Sequence, residues 1–172
     1  MQPEQIMKIE LRPWQMTDLF SLINYANDIE VARFMTDAFP HPYTEESAVE
    51  FIENCNNRKP VQIFAISLMG EAIGSIGVFP CTDIMRRNAE MGYWLGSRFK
   101  GRGIMPVAVK KMLTYAFENF NIDRIFARPF GNNLASQRVL EKSGFSLEAR
   151  FEKTIIKNEE LLDELIYAIR KK

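Results

Sequence analysis

Two hydrophobic periods alternate along this chain. From Ile6 to Arg12, Ile9 and Leu11 alternate with Lys8, Glu10 and Arg12, the pattern of a half-buried strand. Between Thr17 and Asn27 the spacing changes, and Leu19, Leu22, Ile23 and Ala26 form one helical stripe with Thr17 or Asp18 placed to cap its start. Asp28 to Tyr43 follows neither period and carries Met35, Phe39, Pro40 and Pro42, which predicts a long irregular stretch. Thr44 is then the expected N-cap of a helix running to about Asn54, with Ala48, Phe51 and Ile52 inward.

Gln62–Met69 and Ala72–Phe79 are apolar runs of strand length on either side of Gly70-Glu71, so a tight antiparallel hairpin is predicted. Asn88 to Leu95 reads as a strand in which Glu90, Gly92 and Trp94 alternate with Met91, Tyr93 and Leu95. Met105, Val109, Met112, Ala116 and Phe120 form one face of a following helix. Pro106 fits its first turn, where amides have no intrahelical partner. Arg124 to Arg128 is a short strand reached through that helix, so it should lie parallel to residues 88–95 by a right-handed crossover. A helix from about Asn133 to Ser143, with Gly144 as a left-handed cap, leads to a last hairpin turning at Asn158-Glu159. The expected class is α/β.

The chain's 172 residues lie in the usual range of one domain, and 1–172 is read as a single unit. Apolar residues make up 47% and charged residues 26%, a globular composition. The 22 basic and 22 acidic side chains cancel, which argues against dedicated nucleic-acid binding, since phosphate contacts need a cationic surplus. Pro3, Glu4 and Lys8 interrupt the N-terminus, and neither an export signal nor a membrane span is visible. Cys55 and Cys81 are 26 residues apart and form no C-x-x-C pair, so no disulfide scaffold or metal site is indicated and a reducing cytoplasm is the expected setting.

The chemistry concentrates in Arg98-Phe99-Lys100-Gly101-Arg102-Gly103-Ile104, where the strand hands over to the amphipathic helix. Glycines allow close backbone approach and positive φ, and a helix N-terminus directs partial positive charge at an anion. A pyrophosphate suits such a turn. The stretch lacks the Gly-Lys-Ser/Thr ending of a nucleotide P-loop and the G-x-G-x-x-G order of a dinucleotide site. Taken alone, it is equally a basic turn that caps a helix.

Arg98-x-x-Gly101-x-Gly103 resembles the acyl-CoA signature Q/R-x-x-G-x-G/A of the GCN5-related N-acetyltransferases (GNAT). Glu90-Met91-Gly92-Tyr93-Trp94-Leu95 and the run Asn133 to Phe145 are similar to the branch containing the ribosomal-protein alanine acetyltransferases. Leu11-Arg12-Pro13, Pro42-Tyr43-Thr44 and Asp163-Glu164-Leu165-Ile166-Tyr167-Ala168 extend the likeness over nearly the whole chain. The resemblance implies a mixed, mostly antiparallel sheet with helices on both faces and one splayed parallel strand pair, between which the pantetheine arm of acetyl-CoA inserts. It also implies that residues 28–43 roof the acceptor site, and it leaves monomer and homodimer both open.

By that resemblance, Leu95 and Ser97 border the pantetheine and thioester, Arg98, Lys100, Gly101, Arg102, Gly103 and Ile104 surround the pyrophosphate, and Asn133 lies near the cofactor arm. The reaction needs a proton removed from the ammonium, a polarised carbonyl and a proton for the departing thiolate. Glu90 is the candidate base, directly or through water, and is equally an ordinary strand-edge charge. The N–H near Leu95 is the implied carbonyl polariser. Seven residues after Asn133, where many members carry a proton-donating tyrosine, this chain has Leu140. Ser136 takes the donor role in the ribosomal-protein branch, against a plain helix-capping role, and Tyr167 is a distant reserve. His41, the sole histidine, reads as a loop residue at the acceptor entrance. The expected acceptor is a primary amine, either a protein N-terminus or a small molecule such as a polyamine, amino acid or antibiotic. A CoA-binding module without catalysis is the alternative from another class.

Overall fold

A computed structural model describes residues 8–172. Seven strands form one sheet in the order β1-β2-β3-β4-β5-β7-β6. They are β1 (Ile9–Arg12), β2 (Ile63–Leu68), β3 (Glu71–Pro80), β4 (Asn88–Leu95), β5 (Arg124–Ala127), β6 (Ser146–Lys157) and β7 (Glu160–Arg170). Every neighbouring pair is antiparallel except β4 and β5, the pair joined through a helix. The helices are α1 (Leu19–Ala26), α2 (Ile29–Ala32), α3 (Glu45–Asn56), α4 (Ile104–Asn119) and α5 (Leu134–Lys142). Ala72 through Val78 are all buried, which requires cover on both faces of the sheet.

The expected strand at Ile6–Arg12 is observed from Ile9; Ile6 and Met7 lie outside the described residues. Neither Thr17 nor Asp18 caps α1 with its side chain. A single 3₁₀ turn at Met16–Asp18 precedes the helix, and the buried Asp18 carboxylate instead accepts two bonds from Arg12 at 2.7 Å and one from the Gln15 amide at 2.9 Å. Thr44 caps α3 as predicted, its Oγ1 accepting from the Ser47 amide. The first hairpin turns at Met69-Gly70, one residue earlier than Gly70-Glu71. Leu68 pairs with Glu71, and both turn residues have positive φ, the geometry whose twist matches the flanking strands. The last hairpin turns at Asn158-Glu159, both at positive φ, and Gly144 is left-handed after α5.

The α4 stripe is buried at Met105, Val109, Met112 and Ala116, while Phe120 lies just past the helix end. The irregular region 28–43 contains α2, capped by Asp28 Oδ1 on the Glu30 amide. Phe39 in this region packs against Tyr43 and Trp94, at ring centroid distances of 5.3 and 6.2 Å. Asp37 Oδ1 accepts from Lys157 Nζ at 2.8 Å, tying the same region to the end of β6.

Candidate active site

β4 and β5 pair at only three positions, Asn88 with Arg124, Ala89 with Ile125 and Glu90 with Phe126. Beyond Glu90, β4 continues to Leu95 while β5 ends at Ala127, so the two strands part. The Asn88 carbonyl bonds toward β3, and so does the Gly96 amide, which donates to Ile73 O at 2.9 Å. Successive residues of a strand direct their main-chain groups to opposite sides. The N–H groups of Met91, Tyr93 and Leu95 therefore point away from β3, into the opening that β5 has left. A cleft of about 470 Å³ occupies that opening.

One end of the cleft is closed by the turn between β4 and α4. Gly101 has φ +75° and Gly103 +73°, a region that side-chain-bearing residues adopt only with strain. A Cβ built at either would meet nothing within 4 Å, so the space in front of the turn is open. Gly103 is the N-cap of α4 and offers no side chain to its first turn, which leaves the leading amides of the helix for an external acceptor. These are the features a diphosphate requires: exposed main-chain donors, a helix N-terminus and no side chain in the way. Unpaired strand N–H groups beside them suit an amide-bearing arm. The residues present fit acetyl-CoA.

Glu90, Leu95, Lys100, Gly101, Gly103, Ile104, Asn133 and Ser136 all border this cleft, whereas Ser97, Arg98 and Arg102 do not. Ser97 keeps its Oγ buried. The Arg98 guanidinium lies 4.8 Å from the ring centroids of both Tyr25 and Phe99, donates to Tyr25 Oη and faces Glu71 at 3.8 Å. Arg102 stands over Phe99 at 6.0 Å. Of the three cations in the motif, Lys100 borders the cleft, and its Nζ donates to the Glu30 carbonyl at 3.1 Å, joining the turn to the start of α2. Two further cations, Arg138 and Lys142, line the opposite wall from α5. Neither is among the residues expected at the cofactor site. Ala135, Arg138, Val139 and Lys142 share one face at three-and-four spacing, and that period was the available signal.

Glu90 sits at the last paired position of β4. Its two carboxylate oxygens accept from Arg128 Nε at 2.9 Å and Nη2 at 3.2 Å, and Arg128 also donates to Glu164 on β7 at 3.3 Å. Arg128 was missed because nothing in its own neighbourhood marks it; it meets Glu90 only through the parallel register. The pair of carboxylates raises the proton affinity of Arg128 further, chiefly through the hydrogen bond with Glu90.

Asn133 caps α5, its Oδ1 accepting from the Ser136 amide at 3.2 Å. Capping thus falls to Asn133, and the Ser136 hydroxyl is engaged elsewhere: its Oγ lies 2.8 Å from the phenol oxygen of Tyr93. Leu140 is fully buried in the core and faces no cleft. Tyr167 is buried and donates to Glu141 at 2.9 Å, away from the cleft. His41 is exposed and does not border the cleft, whereas Val31, Phe34, Met35 and Thr36 of the same region do. Burial pushes the Cys55 thiol up to about 12, which makes it an inert core residue. Among the described residues no three His, Cys, Asp or Glu side chains gather as a metal site, and no helix is long and apolar enough to cross a membrane.

A parted parallel strand pair ending on a bare glycine turn at a helix N-terminus defines an acyl-CoA-dependent transferase. The chain belongs to the GNAT acetyltransferase family, whose domain profile matches residues 8–146. It is 29% identical over 166 residues to the uncharacterized N-acetyltransferase YnaD of Bacillus subtilis (strain 168), covering 95% of this chain and 91% of YnaD. The ribosomal-protein-serine acetyltransferase of Escherichia coli (strain K12) is 26% identical over 113 residues, 66% of this chain and 63% of that protein. Among solved structures, the microcin C7 self-immunity acetyltransferase MccE, in complex with acetyl-CoA and AMP, superimposes with a TM-score of 0.80 at 25% identity, over 95% of this chain and 93% of that one. The protein is an acetyl-CoA-dependent N-acetyltransferase.

Proposed function

We propose that this enzyme acetylates the α-amine of a protein N-terminus by direct attack in a ternary complex. The observation that carries the transfer reaction is the parting of β4 from β5 after Glu90, which opens donors on one strand toward the glycine turn. The likeness to a ribosomal-protein-serine acetyltransferase supports the acceptor class. A small-molecule amine is the second reading, favoured by the likeness to the L-amino acid N-acetyltransferase AaaT of Escherichia coli (strain K12), 24% identical over 144 residues.

In this reading Gly101, Gly103 and the first amides of α4 hold the diphosphate, with Lys100 beside them and Arg138 and Lys142 as the cations of the facing wall. The N–H groups of Met91, Tyr93 and Leu95 align the pantetheine arm, and that of Leu95 polarises the thioester carbonyl. Acetyl-CoA supplies the activated acyl group. The neutral amine forms a bond from its nitrogen to the carbonyl carbon, the carbon–sulfur bond breaks, and sulfur leaves with the bonding pair and takes a proton. Glu90 acts as base through a water. Each of its oxygens accepts one bond from Arg128, and a carboxylate offers about four acceptor positions, so a water has room beside the ion pair. Ser136 donates the proton to sulfur, in a chain whose Leu140 offers none.

The test is release of free thiol from acetyl-CoA with a panel of N-terminal peptides and small amines. Turnover on peptides with kcat/KM well above that of any free amine is the expected outcome. Faster turnover of a small amine replaces the first reading by the second, and thiol release that no acceptor accelerates sinks both.

A further inference from the structure

Two serines, one in the first turn of α5 and one just past its last residue, use their hydroxyls differently. Ser143, at the C-terminal end, donates its proton back along the helix to the Val139 carbonyl at 2.7 Å. That is the ordinary fate of a helical serine. Ser136, in the first turn, makes no such bond among the described residues; its Oγ meets the Tyr93 phenol at 2.8 Å, and the same phenol lies 3.4 Å from the Ser136 carbonyl. Tyr93 comes from β4, at the height where that strand has lost its β5 partner, and both residues border the cleft.

A serine hydroxyl carries one proton and two acceptor positions. Ser136 can either donate this proton to the phenol or accept the phenol's. The phenol has the stronger reason to be the donor. Two oxygens of Ser136 lie in front of it, both acceptors, and burial raises the phenol above its ordinary proton affinity, so it stays protonated. With one lone pair of Ser136 Oγ taken by the Tyr93 proton, the Ser136 proton is left free to turn into the cleft.

We infer that Tyr93 is a positioning residue: its phenol donates to Ser136 Oγ and so aims the serine proton at the sulfur that leaves. This rests on the reading of Ser136 as proton donor given above. Tyr93 keeps its proton, since burial holds the phenol above its ordinary proton affinity, and its hydroxyl serves to orient Ser136. The proton that reaches sulfur passes through Ser136, which takes one from a water as it gives its own, and the proton released by the amine restores that water. The strand thereby contributes twice at one residue, its main chain toward the pantetheine arm and its side chain toward the donor.

A double-mutant cycle tests this, with kcat, KM for acetyl-CoA and the urea midpoint measured for wild type, Tyr93→Phe, Ser136→Ala and the double variant. Phe keeps the ring and its packing and removes only the hydroxyl. The expected result is that Tyr93→Phe lowers kcat about tenfold with KM and urea midpoint unchanged, the scale of one hydrogen bond lost in the transition state. In the Ser136→Ala background the same change should cost nothing further. Wild-type kcat in Ser136→Ala overturns the donor reading itself. An impaired Ser136→Ala together with a fully active Tyr93→Phe, or with equal costs of Tyr93→Phe in both backgrounds, overturns the role of Tyr93 alone.

Discussion

Glu90 is defined by two neighbours that its own strand does not contain. Arg128 grips both of its oxygens, and Glu164 holds Arg128 from the other side. Three charges in a row fix the carboxylate at the point where β4 and β5 part, which suits a base that works through a positioned water rather than by a swinging side chain. Glu90→Gln should lower kcat about a hundredfold, in the range of general base catalysis, and leave acetyl-CoA affinity unchanged. Titration of the cofactor beside steady-state rates checks this, and an equally fast Gln variant removes Glu90 from the reaction. The alternation of Asn88–Leu95 was enough to put Glu90 on the face of a strand that carries Gly92 and Trp94, opposite Met91, Tyr93 and Leu95. That its partner is Arg128, 38 residues on, follows from a parallel register that no local pattern encodes.

Among the elements, the turn from β4 into α4 was readable almost residue by residue. The observed strand has the predicted limits, and both glycines hold the positive φ that motivated the reading. What the sequence could not show was which cations face the cleft. Arg98 and Arg102 are drawn onto Phe99, with Arg98 also on Tyr25, because the faces of aromatic rings attract guanidinium groups; Lys100, on a flexible stem, remains at the cleft. In the proposed binding mode the glycines consequently carry more of the diphosphate contact than the charges flanking them. Gly103→Val places a β-branched residue at φ +73° and a side chain in the open space before the helix amides. Acetyl-CoA affinity should fall at least about tenfold, 1.4 kcal/mol or more, while urea unfolding stays cooperative. Calorimetric titration decides it, and an unaltered Kd contradicts the cradle.

At the scale of the whole molecule, the sheet is held in register by contacts far apart in sequence. Arg12 at the end of β1 binds the buried Asp18 ahead of α1 and also donates to the Gly70 carbonyl at 2.9 Å in the β2–β3 turn, joining three segments through one guanidinium. The side chains retain 22% and 7% of their exposure, so this is a largely buried pair. Asp18→Ala strands the arginine charge, and stability should drop by about 3 kcal/mol in urea unfolding with the m-value unchanged. A midpoint equal to that of the wild type would assign the pair no structural weight. The sequence presented Asp18 as a helix cap because Asp is a good cap; the tertiary pairing prevailed, since a buried carboxylate gains more from a bidentate guanidinium than from one amide.

Periodicity, turn chemistry and the glycine motif by themselves determined the order of the elements, the single parallel crossover and the place of the glycine turn at the start of α4, because each depends on interactions within a few residues. Only the tertiary structure decided that Tyr93 meets Ser136, that Arg128 meets Glu90, and that Arg138 and Lys142 face the turn across the cleft. Those meetings depend on how far β5 follows β4 before the two diverge, and strand register is set by the packing of the whole sheet rather than by either strand alone.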